Sequence, residues 1–371
     1  MKRFPAFDPP EYVSFRPDAE VVRAFTARLH ADPGRAKLIA ALDRAALLRL
    51  YSGMVRFRLH DICLKRWVKQ GVISKAWLGT GEEAVVTGNM HALRHGDQVA
   101  PMIRNAGACH EAGMPVADML RAYLATADQI TRGRDVHTGY PDGGVLPPIS
   151  MVASMAPVMA GAAYAFKLRK EERVALTWIG DGATRTGEFH EAANFAAVQH
   201  LPLILVLQDN RVALGTEYRL HTTAPLIALA QAYGCAGLEC DGNHVLDVFA
   251  ATAQARALCT AGQGPVLLVA HTFRMGGHAT HDEAEGRALF PAETFAHWGK
   301  RDPIGVFEAW FESREGAARR PAHRKTLEDA EAAVQAEIDA AEREALASRA
   351  ASVPAPGRET ADLYAPASGG R

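Results

Sequence analysis

The sequence has few cysteines, and they show no pairing pattern. The five cysteines are scattered and odd in number, and no Cys-x-x-Cys pair occurs. This pattern is typical of proteins of the reducing cytosol. The first residues have neither the apolar stretch of a signal peptide nor the Ser/Arg-rich amphipathic pattern of a transit peptide. We therefore expect a cytoplasmic protein.

The chain also lacks an excess of charge of one sign, a long apolar run and a dinucleotide-binding motif. Its formal net charge is −1, so we expect no attraction to nucleic acid or to a membrane surface. The longest nearly apolar run, Met151 to Phe166, is interrupted by Pro157 and is shorter than a membrane span. It predicts a buried, tightly packed helix. No Gly-x-Gly-x-x-Gly follows a predicted strand, which disfavours a Rossmann-type NAD enzyme.

What the sequence does contain indicates one large α/β domain. Its 371 residues are 48% hydrophobic, enough to bury a sizeable core. Short apolar runs typical of buried strands alternate with helical patterns, as a doubly wound sheet requires. The pattern predicts a mostly parallel sheet flanked by helices. The predicted strands cover residues 99–103, 174–179, 203–208 and 266–270.

Changes in composition divide the chain into segments. Residues 1–40 are punctuated by proline and predict an N-terminal extension that wraps a neighbouring surface. A long helical pattern at 41–69 begins the main domain, which we place at residues 41–310. Residues 311–352 predict a charged, alanine-rich C-terminal helix, whose thin apolar stripe favours a solvated helix or a partner contact. Residues 353–371, with proline, serine and glycine, predict a disordered tail.

An acidic residue and an amide residue end neighbouring predicted strands. Asp181 lies between Gly180 and Gly182 directly after one strand, and Asn210 ends the next. The helical pattern from Gly187 joins them as a parallel βαβ unit. Ligands bind at the carboxyl ends of such strands. The glycines let the backbone approach a phosphate, and carboxylate and amide oxygens suit Mg²⁺. The pattern predicts a diphosphate–magnesium site, although singly each residue is more often an ordinary turn residue.

These residues resemble a known family. The segment from Gly180 to Ala197, with Asn194 in mid-helix, is similar to the thiamine diphosphate signature of the alpha subunit of 2-oxo acid dehydrogenase E1 components. The resemblance extends from about Leu48 to about Pro303 and implies the thiamine diphosphate-binding fold. Further matching segments follow in the family's order at residues 79–84, 102–105, 145–167, 241–243, 272–278 and 302–304.

The resemblance implies which residues hold thiamine diphosphate and Mg²⁺. The side chains of Asp181 and Asn210 and the backbone carbonyl of Val212 match its metal ligands. Arg104 matches a residue that pairs with a phosphate, for which a planar guanidinium is well suited. The other matching cofactor positions are Ser150 and Val152 beside the aminopyrimidine, Gly182 and Ala183 with backbone N–H groups towards the diphosphate, and Gly180, Leu214 and His278.

The resemblance also implies that His278 is the catalytic histidine. It follows Arg274-x-Gly-Gly in a glycine-rich loop, as the family's histidine does. There it would stabilise or protonate intermediates and help present them to the lipoyl acceptor, work that suits a side chain titrating near neutrality. His271 and His281 are close in sequence and are the alternatives. His137 resembles a second histidine of the family, with a looser spacing.

The family's partners and substrate follow from the same resemblance. The glutamate that activates thiamine diphosphate comes from a beta subunit in this family, and 371 residues leave no room for that second domain here. We therefore expect a chain that is inactive alone and works as an α2β2 heterotetramer. The complex would decarboxylate a 2-oxo acid and pass the acyl group to lipoyl-E2. Pyruvate is slightly favoured as the substrate, and a branched-chain 2-oxo acid is next.

Three residues depart from the family's pattern at the predicted site. Ile103 replaces the tyrosine before Arg104, Asp209 replaces the first Asn of an Asn-Asn pair, and Gln208 stands where some members have Arg. These changes leave open a non-catalytic homologue with a decayed site, although the metal ligands and Arg104 remain. An acetoin dehydrogenase alpha subunit shares the motifs and is a further alternative.

Overall fold

A computed structural model describes residues 1–358 and 360–361 of the chain. Most of the tail predicted to be disordered, residues 353–371, lies outside these described residues, and its disorder stays a prediction. None of the described helices is both long and apolar enough to cross a membrane.

The described residues form many α-helices and a few short 3₁₀ turns. The 3₁₀ turns are Pro141–Gly143, Gly182–Arg185 and Ala317–Arg319. The α-helices are α1 (Pro10–Val13), α2 (Ala19–Arg28), α3 (Pro33–Ala40), α4 (Arg44–Lys69), α5 (Glu83–Ala92), α6 (Gly107–Glu111), α7 (Val116–Leu124), α8 (Met155–Arg169), α9 (Gly187–Val198), α10 (Tyr218–His221), α11 (Ala228–Tyr233), α12 (Val245–Thr260), α13 (Glu283–Ala288), α14 (Ala292–Gly299), α15 (Pro303–Ser313) and α16 (Arg320–Ala351).

The strands form one five-stranded parallel sheet and one small hairpin. The strands are β1 (Gln98–Ala100), β2 (Ala175–Gly180), β3 (Leu203–Asp209), β4 (Val212–Ala213), β5 (Thr216–Glu217), β6 (Ala236–Asp241) and β7 (Val266–His271). The sheet has the order β1-β2-β3-β7-β6, and β4 pairs with β5 in antiparallel fashion. After β3 the chain passes to the far edge to form β6 and returns to place β7 in between. Because all five strands run in one direction, their carboxyl ends share one edge.

Helices cover both faces of the sheet. On one face Trp178, Val206 and Leu268 join an apolar cluster with residues of α5 and α12. On the other face Ile179 and Leu205 join a second cluster with residues of α8 and α9. A parallel sheet buried on both faces reads as continuous apolar strands, which is the pattern that the sequence shows. The predicted α/β fold with a mostly parallel, helix-flanked sheet is confirmed.

The strand that sequence reasoning missed lies at the edge of the sheet. In β6, Gly237 and Glu239 are exposed, so the strand has no continuous apolar run to detect. The first predicted strand, 99–103, ends earlier than expected, at Ala100. Pro101 follows, and a proline has no N–H to donate to a neighbouring strand.

The C-terminal helix is packed on the domain along one stripe, so it is not fully solvated, and the alternative of a partner contact stays a prediction. α16 lies against α4 and α7. Its apolar residues recur at intervals of three, four or seven, which places them in one narrow stripe along the helix. This stripe is thin but buried in the same cluster as α4. Its residues are Leu327, Val334, Ile338, Ala341 and Ala345.

A buried ionic cluster ties the N-terminal segment to the main domain. The side chain of Arg58 in α4 is fully buried and binds Glu83 and Asp302, the latter at 3.0 Å. Asp8 lies 3.6 Å from the same guanidinium, and the ring of Tyr12 stacks on it at 4.6 Å. Arg58 therefore lies beside three buried carboxylates that come from separate parts of the chain, and Arg3 also binds one of them, Asp302.

Removal of this cation should destabilise the fold strongly. We expect Arg58→Ala to lower the free energy of unfolding by about 3–5 kcal/mol, because it leaves buried carboxylates without a counter-charge. Urea unfolding followed by circular dichroism measures the change. Arg23→Ala is the control, since Arg23 is exposed and pairs only with the exposed Glu20, and we expect it to cost less than about 0.5 kcal/mol. Equal losses in the two variants would contradict the role of the cluster.

Candidate cofactor site

A cleft of about 560 Å³ lies at the carboxyl edge of the sheet. The ends of β2 and β3 form its floor, and loops around residues 101–104, 149–155 and 274–278 form its walls. The structure brings together in this cleft all the residues that the sequence assigned to the cofactor, the metal and catalysis. They are Arg104, Ser150, Val152, Gly180, Asp181, Gly182, Ala183, Asn210, Val212, Leu214 and His278.

Asp181 places a buried carboxylate oxygen without a partner in the cleft. It follows β2 and begins the 3₁₀ turn Gly182–Arg185, where Oδ1 accepts a hydrogen bond from the Gly182 N–H at 2.8 Å. Oδ2 is buried and has no hydrogen-bond partner in the described structure. Burial raises the pKa of Asp181 to about 6. A bound cation would satisfy this oxygen and offset the cost of burying the charge.

Asn210 is oriented so that its amide oxygen is available to a cation. Its Nδ2 donates to Oε1 of Glu82 at 3.0 Å, and the Val212 N–H donates to its Oδ1 at 3.3 Å. Because an ionised carboxylate only accepts hydrogen bonds, the amide nitrogen must face Glu82 and the oxygen must face away. Asp181 and Asn210 thus offer the hard oxygens that Mg²⁺ prefers.

The donor set fits Mg²⁺ better than a metal held by protein ligands alone. No group of three or more His, Cys, Asp or Glu side chains suited to a metal occurs in the described part of the chain. Mg²⁺ commonly uses one or two carboxylates and completes its shell with water and substrate phosphates. A site with one carboxylate and one amide oxygen is consistent with this coordination preference of Mg²⁺.

Glu82 is a buried carboxylate that sequence reasoning did not assign to the site. Its Oε2 accepts from Nη1 of Arg104 at 2.9 Å, and its Oε1 accepts from Nε2 of Gln208 at 3.1 Å as well as from Asn210. All four side chains are buried. Glu82 therefore positions both the predicted phosphate-binding cation and the predicted metal ligand. Glu82 belongs to residues 79–84, a segment that matches the family, but the segment by itself does not reveal the contacts of Glu82.

Gly182 allows the loop after β2 to pack against the loop after β3. A Cβ at this position would lie 2.2 Å from the Cβ of Ala213, a distance that no side chain can occupy. Gly182 and Ala183 therefore line the cleft beside Asp181, and the Gly182 N–H donates to Oδ1 of that residue. Backbone donors at such a turn are suited to an anion.

Two buried guanidinium groups make the cleft attractive to an anion. Arg104 and Arg274 both line it, and both are buried. Nη2 of Arg274 donates to the carbonyl of Leu214 at 2.7 Å, which ties the loop of His278 to the loop after β3. Burial and then the charge of Arg104 lower the pKa of Arg274 to about 10. Arg274 is a second residue that was not assigned to the site, although its motif was recognised.

His278 lines the cleft, whereas the alternatives do not. Burial, followed by the charges of Arg104 and Arg274, lowers the pKa of His278 to about 4, so the ring is neutral at neutral pH. His271 lies at the end of β7 and binds Asp209 and Glu239 instead. The structure therefore favours His278 over His271 as the histidine of the cleft, and its catalytic role stays a prediction.

The departures from the family's pattern have different consequences. Asp209 pairs with Arg211 and His271 at 3.2 Å and does not line the cleft, but its charge still acts on the site, because after burial it is a further cause that raises the pKa of Asp181. Gln208 supports Glu82, as described above. Ile103 lines the cleft but has no group that binds a phosphate. Only this last change removes a hydrogen bond that the family's tyrosine would supply.

Comparison with known proteins identifies the family. Residues 51–349 match the dehydrogenase E1 component family. The chain is 31% identical over 310 residues to the pyruvate dehydrogenase E1 component subunit alpha of Staphylococcus aureus, covering 82% of this chain and 80% of that protein. It is 29% identical over 269 residues to the 2-oxoisovalerate dehydrogenase subunit alpha 1, mitochondrial, of Arabidopsis thaliana. That match covers 71% of this chain and only 57% of the plant protein.

The chain therefore belongs to the dehydrogenase E1 component family, and it resembles the alpha subunits of that family. Thiamine diphosphate is the cofactor that this family implies. The cleft has a buried carboxylate oxygen without a partner and an oriented amide oxygen, which suit a cation. It also has the N–H groups of a turn and buried arginine side chains, which suit a diphosphate.

Neutralising Asp181 should stabilise the cofactor-free chain while removing its response to cofactor. The raised pKa means that the folded state disfavours the carboxylate relative to the unfolded state, so the charge costs stability above about pH 6. We expect Asp181→Asn to raise the free energy of unfolding at pH 7.5 by about 1–3 kcal/mol. It should also abolish the rise in Tm caused by thiamine diphosphate with Mg²⁺. Asp142→Asn, at an exposed aspartate, is the control, and a stabilising effect of cofactor that survives in Asp181→Asn would contradict the assignment.

The contact between Glu82 and Gln208 can be tested by exchanging the two residues. We expect Glu82→Gln to weaken binding of thiamine diphosphate with Mg²⁺ about tenfold, because one amide carbonyl cannot accept from Arg104, Gln208 and Asn210 together. The double variant Glu82→Gln/Gln208→Glu restores an acceptor to the network and should recover most of the affinity. Quenching of the fluorescence of Trp77 and Trp178, which line the cleft, measures binding. A double variant no better than the single one would rule out this role of Glu82.

Proposed function

We propose that the chain is the alpha subunit of a 2-oxo acid dehydrogenase E1 that uses thiamine diphosphate and Mg²⁺. The observation that carries the proposal is the pair formed by the orphan oxygen of Asp181 and the oriented amide of Asn210, beside the turn N–H groups and Arg104. When bound, thiamine diphosphate supplies the nucleophilic carbon and stabilises the negative charge left by decarboxylation. The protein's task is to bind, orient and protonate.

Each side of the cleft has a distinct task in this proposal. Asp181, Asn210 and the carbonyl of Val212 would hold Mg²⁺. Arg104 and the N–H groups of Gly182 and Ala183 would hold the diphosphate. Arg104 brings a full charge to a buried position, where a charge-assisted bond to a phosphate is strong.

The opposite end of the cleft would hold the reacting part of the cofactor and the substrate. Ser150 and Val152 would line the aminopyrimidine, and Leu214 lies on the same side of the opening. His278 is neutral at neutral pH and so accepts a hydrogen bond or a proton from a bound group. Its place on a loop tied down by Arg274 limits its movement.

Exposed apolar side chains around the cleft support the proposal that a partner subunit binds there. Met151, Val152 and Leu214 are 66%, 58% and 60% exposed at its mouth. The neighbouring faces of α8 and α9 expose Val158, Leu168, Phe195 and Val198. Contiguous apolar surface beside an open site is typical of a protein interface. We propose that a beta subunit covers this surface in an α2β2 heterotetramer, contributes the activating glutamate and leaves access for the lipoyl group of E2.

The substrate is proposed to be a small 2-oxo acid. The relatives are named for pyruvate and for 2-oxoisovalerate, with nearly equal identity. Pyruvate is the first candidate and a branched-chain 2-oxo acid the next. An acetoin dehydrogenase alpha subunit remains the second candidate because it shares the motifs. The cytoplasmic location expected from the sequence stays a prediction.

The proposal is tested by isolating the chain with its partner from the native host and assaying the complex. The assay follows reduction of an artificial electron acceptor with pyruvate, branched-chain 2-oxo acids or acetoin, with and without thiamine diphosphate and Mg²⁺. We expect turnover of pyruvate that needs both cofactors and disappears in a complex carrying Asp181→Asn. A stable complex that binds thiamine diphosphate but turns over none of these compounds would contradict the proposed activity and support a non-catalytic homologue.

A further inference from the structure

Three side chains form a hydrogen-bonded chain that leads from solvent into the cleft. Oγ of Ser150 lies 3.1 Å from Nε2 of His137, and Nδ1 of His137 lies 2.7 Å from Oδ1 of Asp135. Ser150 and His137 both line the cleft. Asp135 is 57% exposed, whereas the side chain of His137 is 17% exposed. The contacts therefore run in order from an exposed carboxylate, through a mostly buried imidazole, to the hydroxyl of Ser150, an exposed residue that lines the cleft.

Asp135 determines which nitrogen of His137 exchanges a proton. The carboxylate accepts from the backbone N–H of His137 at 2.9 Å as well as from the ring. Burial raises the pKa of Asp135, but these hydrogen bonds outweigh it and hold the pKa below its ordinary value. The carboxylate is thus ionised and can only accept, so Nδ1 keeps its hydrogen. Nε2, which faces Ser150, is left as the nitrogen that gains or loses a proton.

The two histidines of the cleft have opposite electrostatic surroundings. His278 faces the guanidinium groups of Arg104 and Arg274 and is neutral at neutral pH. His137 faces a carboxylate instead. The chain through His137 therefore gives the cleft a hydrogen-bonded path to an exposed carboxylate.

We propose that Asp135, His137 and Ser150 form a proton relay that serves the 2-oxo acid bound in the cleft. This inference rests on the proposed function. As the oxo oxygen of the substrate gains negative charge, the hydroxyl of Ser150 gives its proton to that oxygen and takes the proton of His137 Nε2. His137 is left neutral, with its Nδ1–H still on Asp135, and regains a proton from solvent. Ser150 contacts the substrate, whereas Asp135 and His137 are positioning residues that act through it.

The relay accounts for features that loop packing alone would not require. Asp135 and Ser150 belong to separate loops, and the ring of His137 bridges them with both of its nitrogens. The same arrangement of carboxylate, imidazole and hydroxyl supports proton transfer on many unrelated folds. Here the hydroxyl opens into a site where a substrate oxygen would need a proton.

The test uses the complete complex of the chain with its partner subunit. Ser150→Ala, His137→Gln and Asp135→Asn each remove one member of the relay, and Ser150→Thr keeps the hydroxyl. His91→Gln is the matched control, because Nε2 of His91 is also bound by a carboxylate, that of Glu111 at 2.6 Å, but His91 does not line the cleft. The measurements are the single-turnover rate with pyruvate at several pH values, KM, and the affinity for thiamine diphosphate from tryptophan quenching. Binding of a phosphonate analogue of pyruvate adds a readout without turnover.

We expect Ser150→Ala and His137→Gln to slow the single turnover about 100-fold, the usual share of a general acid. For His137→Gln, whose side chain touches neither ligand in the proposal, the affinities for thiamine diphosphate and for the phosphonate should remain those of the wild type. Asp135→Asn should slow turnover less, because His137 remains in place beside Ser150. Ser150→Thr should recover most of the rate, and His91→Gln should match the wild type in every measurement.

Two results would overturn the relay while leaving the proposed function intact. One is an active wild-type complex whose Ser150→Ala and His137→Gln variants turn over at the wild-type rate. The other is a loss of rate that follows a loss of cofactor affinity in proportion, which would mean that the three residues only hold the loops in place. A wild-type complex without activity on any 2-oxo acid would instead refute the proposed function, and the relay with it.

Discussion

The arrangement of the cleft depends on one buried carboxylate, that of Glu82. It accepts hydrogen bonds from Arg104, Gln208 and Asn210, which come from two different parts of the chain. A buried carboxylate without these donors would be costly, and the donors without it would point elsewhere. Glu82 thereby couples the residue proposed to hold the diphosphate to the residue proposed to hold the metal. The position of each depends on the other through a single side chain.

The charges around this network already balance: Glu82 pairs with Arg104, which leaves Arg274 and Asp181 as one buried cation and one buried anion. Burial, and then the charge of Arg104, lowers the pKa of Arg274. Asp181 is a buried anion with one free oxygen and a raised pKa. A diphosphate would accept hydrogen bonds from the buried guanidinium groups, and Mg²⁺ would bind the free oxygen of Asp181. Under the proposed function, binding of this pair would therefore contribute to the stability of the fold.

The sheet and most of the site could be predicted from the sequence, because their signals are local. β2, β3 and β7 are continuous apolar runs, and Asp181 and Asn210 follow two of them directly. The half-exposed β6 has no such run and was missed. The burial of α16 depends on the surfaces of α4 and α7, which no local pattern reveals. Glu82 was missed, and so was the contact of His137 with Ser150, although the sequence named both of those residues. These roles come from contacts between segments distant in sequence.

A crystal structure of the subunit complex with thiamine diphosphate and Mn²⁺ in place of Mg²⁺ tests the central claim most directly. Mn²⁺ accepts the same oxygen ligands and can be located by its anomalous scattering. The account predicts one anomalous peak bound by Oδ2 of Asp181 and Oδ1 of Asn210, with Nδ2 of Asn210 still donating to Glu82. A peak distant from both side chains, or an Asn210 turned away from Glu82, would contradict it.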